Sequence, residues 1–313
     1  MAKMIHWKTR KGMLLGISLI LGGVLALLLG LPSLERQMVF PGHQTQGMKD
    51  VQINSEDSSD NLIELTTKSG HQTFFRSVGA LTSSGKLLPN FNDSPTLIFF
   101  YGNGGCLGYM NSIFQNFRKI GVNVVIPEYV GYGISPGRPT ENDCYETALA
   151  VYDYLIDQKK CSPEKIIVSG HSLGTAVACG LASQKKVGGL IFFSGFTSLP
   201  ETGQILYPFL PVHWLLHSEF ASIEKIPSLY CPFLLIHGDQ DSIVPLEMMQ
   251  TNAEIARQNG LFVETLILKN AGHDIFGEKD HFETILQTVQ DFLLKTHCFD
   301  AEPRKSQSFE QPF

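Results

Sequence analysis

The chain has 313 residues, 43% of them hydrophobic, which is enough to bury one large core within a single α/β domain. A formal net charge of −6 leaves no basic excess and argues against a nucleic-acid partner. Six cysteines without C-x-x-C or metal-ligand spacing outline neither a zinc site nor a disulfide framework, and no motif calls for a metal or other cofactor.

Residues 1–12 form a basic tail in which Lys3, Lys8, Arg10 and Lys11 stand without an acid among them. They lead into an apolar run from Met13 to Leu31, interrupted only by Ser18 and close to the length that crosses a bilayer. A cleavable signal peptide is the competing reading. The run is longer than a usual h-region, Gly30-Leu31-Pro32-Ser33 is a poor cleavage site, and cutting after Ala26 would leave a Leu-rich mature N-terminus. The expectation is an uncleaved transmembrane helix over 13–31. The basic bias then places the N-terminus in the cytosol and the main domain on the non-cytosolic side.

The main domain is expected over residues 51–296, followed by a polar tail over 297–313. Asn61–Thr67 and Gln72–Arg76 flank a turn at Ser69-Gly70 and predict an antiparallel pair at the start of a sheet. After a polar loop from Thr82 to Ser94, the strands change character. Thr96–Tyr101, Asn123–Pro127, Lys165–Val168, Gly189–Phe193, Pro232–Ile236 and Phe262–Leu268 are short, mostly apolar runs, as expected where both faces of a sheet are covered. Helical patterns at Met110–Ile120, Cys144–Lys159, Leu173–Gln184, Leu246–Gln258 and Phe282–Lys295 alternate with them. Together these predict an α/β fold with a mostly parallel sheet and helices on both faces. The segment between Phe196 and Pro232 is short for a cap, about two helices. Its Leu206, Tyr207, Phe209, Leu210, Trp214 and Leu215 either line an acyl site or pack onto the sheet.

Sites in such sheets form at the carboxyl ends of strands. Gly170-His171-Ser172-Leu173-Gly174 lies between a strand and a helix, the context in which a serine is forced onto a sharp, strained turn with its hydroxyl clear of the sheet. A serine nucleophile needs a base oriented by a carboxylate, in the chain order serine, acid, histidine. Asp239 and Asp241 follow one apolar strand, and His273 follows the last in a glycine-flanked loop. The loop Tyr101-Gly102-Asn103-Gly104-Gly105 ends another strand. It offers backbone N–H groups, at Asn103 and Gly104, that with the N–H of Leu173 can hold an oxyanion.

These motifs, together with Tyr129-Val130-Gly131-Tyr132-Gly133-Ile134-Ser135, Phe196-Thr197-Ser198 and the run from His237 to Pro245, resemble the α/β-hydrolase superfamily over roughly 62–295. Within it the chain looks like the membrane-anchored abhydrolase-domain proteins of the bud-emergence and depalmitoylase-like branch. The resemblance implies the α/β-hydrolase fold with a minimal cap, and it assigns the acid to Asp241 through the pattern His-Gly-x-x-Asp-x-x-Val-Pro. It further implies cleavage of ester or thioester bonds in small-molecule, lipid-like or acylated-protein substrates. Two positions depart from the family pattern: Tyr101 stands where a histidine is usual, and Glu128 where an aspartate is common. Alternatives are a catalytically silent binding protein of the same fold and a peptidase, since amides share this chemistry. A dinucleotide-binding reading of Gly102-x-Gly104 with Glu128 fails because Leu107 occupies the third glycine position.

Overall fold

A computed structural model describes Ser33 and residues 35–48 and 51–296. The expected tails and the apolar run at 13–31 lie outside them. Among the described residues, no helix is long and apolar enough to cross a membrane.

All eight expected strands form, in one sheet of order β1-β2-β4-β3-β5-β6-β7-β8. They are β1 Asn61–Thr66, β2 Gln72–Val78, β3 Thr96–Phe100, β4 Asn123–Glu128, β5 Ile166–His171, β6 Gly189–Phe193, β7 Phe233–Gly238 and β8 Val263–Leu268. The first pair is antiparallel and β2 joins β4 antiparallel, while β4 through β8 run parallel. The hydrophobic pattern accounts for the placement. The continuous apolar runs of β3, β6 and β7 are buried along their whole length, whereas the alternating β1 lies at an edge with its outward residues exposed.

Helices α1 Asn111–Phe117, α2 Glu141–Asp157, α3 Leu173–Ala182, α4 Leu199–Leu206, α5 Val212–Leu215, α6 Ser222–Lys225, α7 Leu246–Gln258 and α8 Lys279–Lys295 complete the layers. α2 packs on α3 on one face of the sheet, and α8 meets the end of α1 on the other, where Phe117 and Phe282 lie 5.9 Å apart. α2 begins earlier than the apolar periodicity predicts. Thr140 accepts a hydrogen bond from the Asp143 N–H, so the polar turn Glu141-Asn142-Asp143 becomes the first turn of the helix. The segment between β6 and β7 forms α4, α5 and α6 rather than two helices, each short, with Pro208 and Pro211 in the turn between α4 and α5.

The packed unit reaches further upstream than the expected boundary at residue 51. Val39 and Phe40 are 4% and 3% exposed and belong to the central core, and Phe40 meets Phe220 edge-on at 6.0 Å. This upstream strap runs through the short helical turn Pro41–Thr45 and is stitched to the domain by backbone bonds from Gly42 to Asn103 and from Gly47 to Gly133. The polar character of residues 43–50 hides this docking from a reading of the sequence.

Candidate active site

Ser172 caps α3 with φ +52° and ψ −120°, a backbone conformation that costs energy for any residue with a side chain. The turn exists only because its neighbours lack Cβ atoms. A Cβ on Gly170 would sit 2.1 Å from the Gly174 carbonyl carbon, and one on Gly174 would sit 2.0 Å from the Phe100 oxygen. The Ser172 N–H is tied to the Phe193 carbonyl at 3.0 Å, which fixes the turn to the next strand.

The structure brings Ser172, His273 and Asp241 together from three strand ends. His273 Nε2 lies 2.9 Å from Ser172 Oγ, and its Nδ1 lies 2.7 Å from Asp241 Oδ2. Asp241 is immobile. Its Oδ1 accepts the N–H groups of Ile243 and Val244, both at 2.9 Å, and the His237 Nε2 approaches Oδ2 at 3.3 Å. His237 Nε2 also lies 2.8 Å from the Val244 carbonyl, which can only accept, so that nitrogen carries the proton. Burial works against ionisation of Asp241, but the hydrogen bonds from His237 and His273, the His273 charge and the Val244 N–H outweigh it. They hold its carboxyl well below the usual carboxylate range. Asp239, the other carboxylate after β7, instead accepts the N–H of Asn270 at 2.7 Å and takes no part in this chain of bonds.

The loop bearing His273 is held by residues that the sequence does not single out. The His273 carbonyl accepts from His171 Nε2 at 3.0 Å and from Ser194 Oγ at 3.1 Å. Ser194 itself has φ +51°. Phe276 pins the loop into the aromatic core, 5.1 Å from Phe193 and 5.9 Å from Phe99. Burial first, and then repulsion from His273, lower the His171 pKa to about 4, so its ring stays neutral and serves as a donor. A polar or aromatic residue just after each strand end was the available signal, but many such residues are only turn formers.

On the other side of Ser172, Asn103 and Gly104 border a cleft of about 380 Å³ that opens over Ser172 and His273. Leu173 follows the serine as the first residue of α3, where a backbone N–H has no acceptor within the helix. The Asn103 carbonyl points away from the cleft, accepting the Gly42 N–H at 2.9 Å and the Tyr132 hydroxyl at 3.0 Å. Beneath the loop the two departures from the family pattern meet each other. The Tyr101 hydroxyl donates to Glu128 Oε1 at 2.5 Å, the Leu107 N–H donates to the same oxygen at 2.9 Å, and the Tyr129 N–H donates to the Tyr101 oxygen at 3.0 Å. Burial is the dominant influence on Glu128 and raises its pKa to about 7 despite these donors.

The apolar wall of the cleft comes from Phe99, Tyr109, Met110, Ile113 and Phe276. The cap residues Leu206, Tyr207, Phe209, Leu210 and Trp214 neither line it nor pack onto the sheet; they are exposed. His217 bonds to Glu35, and His281 bridges the Lys269 carbonyl and Glu278, so neither approaches Ser172. The five described cysteines, Cys179 among them, are buried and form no disulfide with one another.

The arrangement can move a proton from Ser172 Oγ to His273 and stabilise the resulting imidazolium on Asp241. A family profile described as alpha/beta hydrolase fold matches residues 95–213. An uncharacterized protein of Mycobacterium tuberculosis is 35% identical over 64% of this chain and 70% of its own length. The human alpha/beta hydrolase domain-containing protein 17B is 30% identical over 65% of this chain and 69% of its own. Among solved structures, the Pyrococcus furiosus esterase Pf2001 superposes with a TM-score of 0.61 at 22% identity, covering 79% of this chain and 92% of that one.

Proposed function

The chain belongs to the α/β hydrolase family, and from that premise we propose that it is a serine hydrolase that cleaves carboxylic ester or thioester bonds through an acyl-enzyme on Ser172. One observation carries the reading: the strained Ser172 hydroxyl lies 2.9 Å from His273 Nε2, while His273 Nδ1 is held at 2.7 Å by a buried carboxylate. His273 takes the hydroxyl proton as Oγ bonds to the substrate carbonyl carbon. The oxyanion that forms is held by the N–H groups of Leu173 and of the Asn103–Gly104 loop. His273 then returns the proton to the departing oxygen or sulfur, and a water activated by the same ring releases the acid.

The apolar wall and the open cleft support an acyl chain, and so a lipid-like or acylated substrate. The test is labelling by a fluorophosphonate probe together with turnover of a short activated ester. Wild-type protein should do both, and Ser172→Ala should lose both, by on the order of 10⁵-fold or more in turnover. An unlabelled wild-type protein with no turnover would favour a silent binding protein instead.

We further propose that residues 13–31 form an uncleaved single-pass anchor behind the basic tail at 1–12, with the catalytic domain on the non-cytosolic side and a polar tail over 297–313. The apolar run and its basic flank support this reading. Protease protection on sealed vesicles, with N-terminal sequencing of the membrane-bound form, tests it. A mature chain starting near residue 27 would make the run a signal peptide, and digestion from the cytosolic face would reverse the orientation.

A further inference from the structure

The cap carries an apolar surface that the cleft does not use. Residues 202–218 include no Asp, Glu, Lys or Arg. Within them Ile205, Leu206, Tyr207, Phe209, Leu210 and Trp214 are exposed, Trp214 at 88% and Phe209 at 98%. The outcrop has a firm base: Thr202 and Val212 are buried, and Val212 packs so closely on Gly203 that a Cβ there would lie 2.8 Å from it. Folded chains rarely leave so many large apolar side chains of one short segment uncovered without a partner for them.

The strap settles where this outcrop lies relative to the rest of the chain. Glu35 Oε1 accepts the backbone N–H groups of His217 at 3.0 Å and Ser218 at 2.8 Å, and its Oε2 lies 2.9 Å from His217 Nδ1. On the other side of the same turn, Glu141 accepts the N–H groups of Glu219 and Phe220. The cap is thus clamped between two carboxylates, one of them on the strap. Leu31, which ends the apolar run, is four residues before Glu35, so it lies within about 14 Å of it even if the chain is fully extended. Trp214 is three residues before His217.

We propose that this outcrop is a membrane-docking surface, in which Phe209, Leu210 and Trp214 enter the interfacial layer of a lipid bilayer with Tyr207 at the rim. The inference rests on residues 13–31 crossing that bilayer. A span that ends beside the cap brings the cap to the lipid surface. The outcrop's composition suits the interface: large apolar side chains with Trp and Tyr, and no Asp, Glu, Lys or Arg of its own to desolvate. The docked cap and the strap together hold the domain at a fixed depth, with the strap running on from Glu35 to Gly42, where it bonds the oxyanion loop.

The chain has two tryptophans, Trp7 and Trp214, so Trp7→Phe in the full-length protein leaves Trp214 as the sole reporter. This variant is reconstituted into phosphatidylcholine vesicles with and without brominated acyl chains, and flotation is measured alongside emission. The expected result is co-flotation, blue-shifted Trp214 emission and its quenching by the brominated lipid. Adding Phe209→Asp should reduce that quenching and leave turnover of a soluble short ester unchanged. Protein that floats but shows water-like, unquenched Trp214 emission would overturn the docking surface and leave the anchor standing. A blue shift without bromine quenching would assign the outcrop to a second copy of the chain and overturn it as well. Failure to float would overturn both the anchor and the docking that rests on it.

Discussion

The two flanks of Ser172 are built in different ways. On the acid flank, Asp241 is held by His237, Ile243 and Val244, all on one strand end and its following turn. On the oxyanion flank, the Gly102–Gly105 loop is held from outside by Gly42 and Tyr132 and from beneath by Tyr101 on Glu128. The first flank is assembled from neighbours in the chain and keeps its geometry as long as β7 folds. The second converges from the strap, β3 and the turn after β4, so its geometry depends on the whole upstream half staying docked. A site of this kind has a rigid proton-transfer side and an oxyanion side that remote changes can loosen.

Breaking the acid flank should have the larger effect. Asp241→Asn keeps an oxygen for the Ile243 and Val244 N–H groups, so the turn should fold, but its amide cannot hold His273 in the tautomer that accepts the serine proton. We expect turnover of a short ester to fall by about 10⁴-fold, with the thermal midpoint used to confirm folding. The oxyanion flank is broken at Gly42, where a Cβ would sit 2.0 Å from the Tyr132 ring and 2.8 Å from the Asn103 carbonyl. Gly42→Ala should displace the loop and cost roughly 10²-fold in kcat, the scale of a small misplacement at a reacting centre. Tyr132→Phe, which removes one hydrogen bond and keeps the ring, should cost less than about tenfold, since the Gly42 N–H still holds the carbonyl. Unchanged turnover in a folded Gly42→Ala protein would show that the strap does not position the loop.

This asymmetry also explains what could be read in advance. The strands were legible from short, mostly apolar runs or from alternation, as in β1, and Ser172, Asp241 and His273 were legible because each follows a strand. Asp241 could be separated from Asp239 only through the family pattern, since both sit on the same turn with equal composition. The strap was not legible: residues 43–50 are mostly polar and short of periodicity, and only tertiary packing shows Val39 and Phe40 in the core. The cap's apolar residues were read as lining or packing because apolar side chains usually are buried. Their exposure reflects a short segment whose turns leave α4 and α5 too small to cover them. The pairing of Tyr101 with Glu128 joins two departures that look unrelated when each is taken alone.

That pair gives a pH test of the oxyanion flank. Glu128 has its pKa raised from 4.5 to about 7 by burial in the folded protein, while the unfolded chain titrates at the lower value. Between those values the folded state keeps a proton that the unfolded state has released, so raising the pH favours unfolding. The stabilisation is fully present below about pH 4.5 and is lost as the pH rises through about 7. Its size is on the order of 3 kcal/mol. Thermal midpoints measured from pH 5 to pH 8 should therefore decline in wild type, and more weakly in Glu128→Gln, which cannot ionise. Identical slopes in the two proteins would mean that Glu128 does not titrate in this range.

The smallest effect belongs to the carboxylate beside the acid flank that stays out of it. Asp239 lies two residues from Asp241, yet its Oδ1 accepts the Asn270 N–H at 2.7 Å, closing the turn in which Asn270 takes φ +58°. Its link to His273 runs from Asn270 through the backbone of Ala271 and Gly272 rather than through a side-chain bond. Asp239→Asn retains an oxygen for the same N–H and loses only the charge on that bond, a change of about 1 kcal/mol in stability. Turnover should stay within about threefold of wild type, because the His273 carbonyl remains fixed by His171 and Ser194 and its ring by Asp241. A loss comparable to that of Asp241→Asn, in protein with a wild-type thermal midpoint, would move the orienting role to Asp239 and dissolve the contrast between the two flanks.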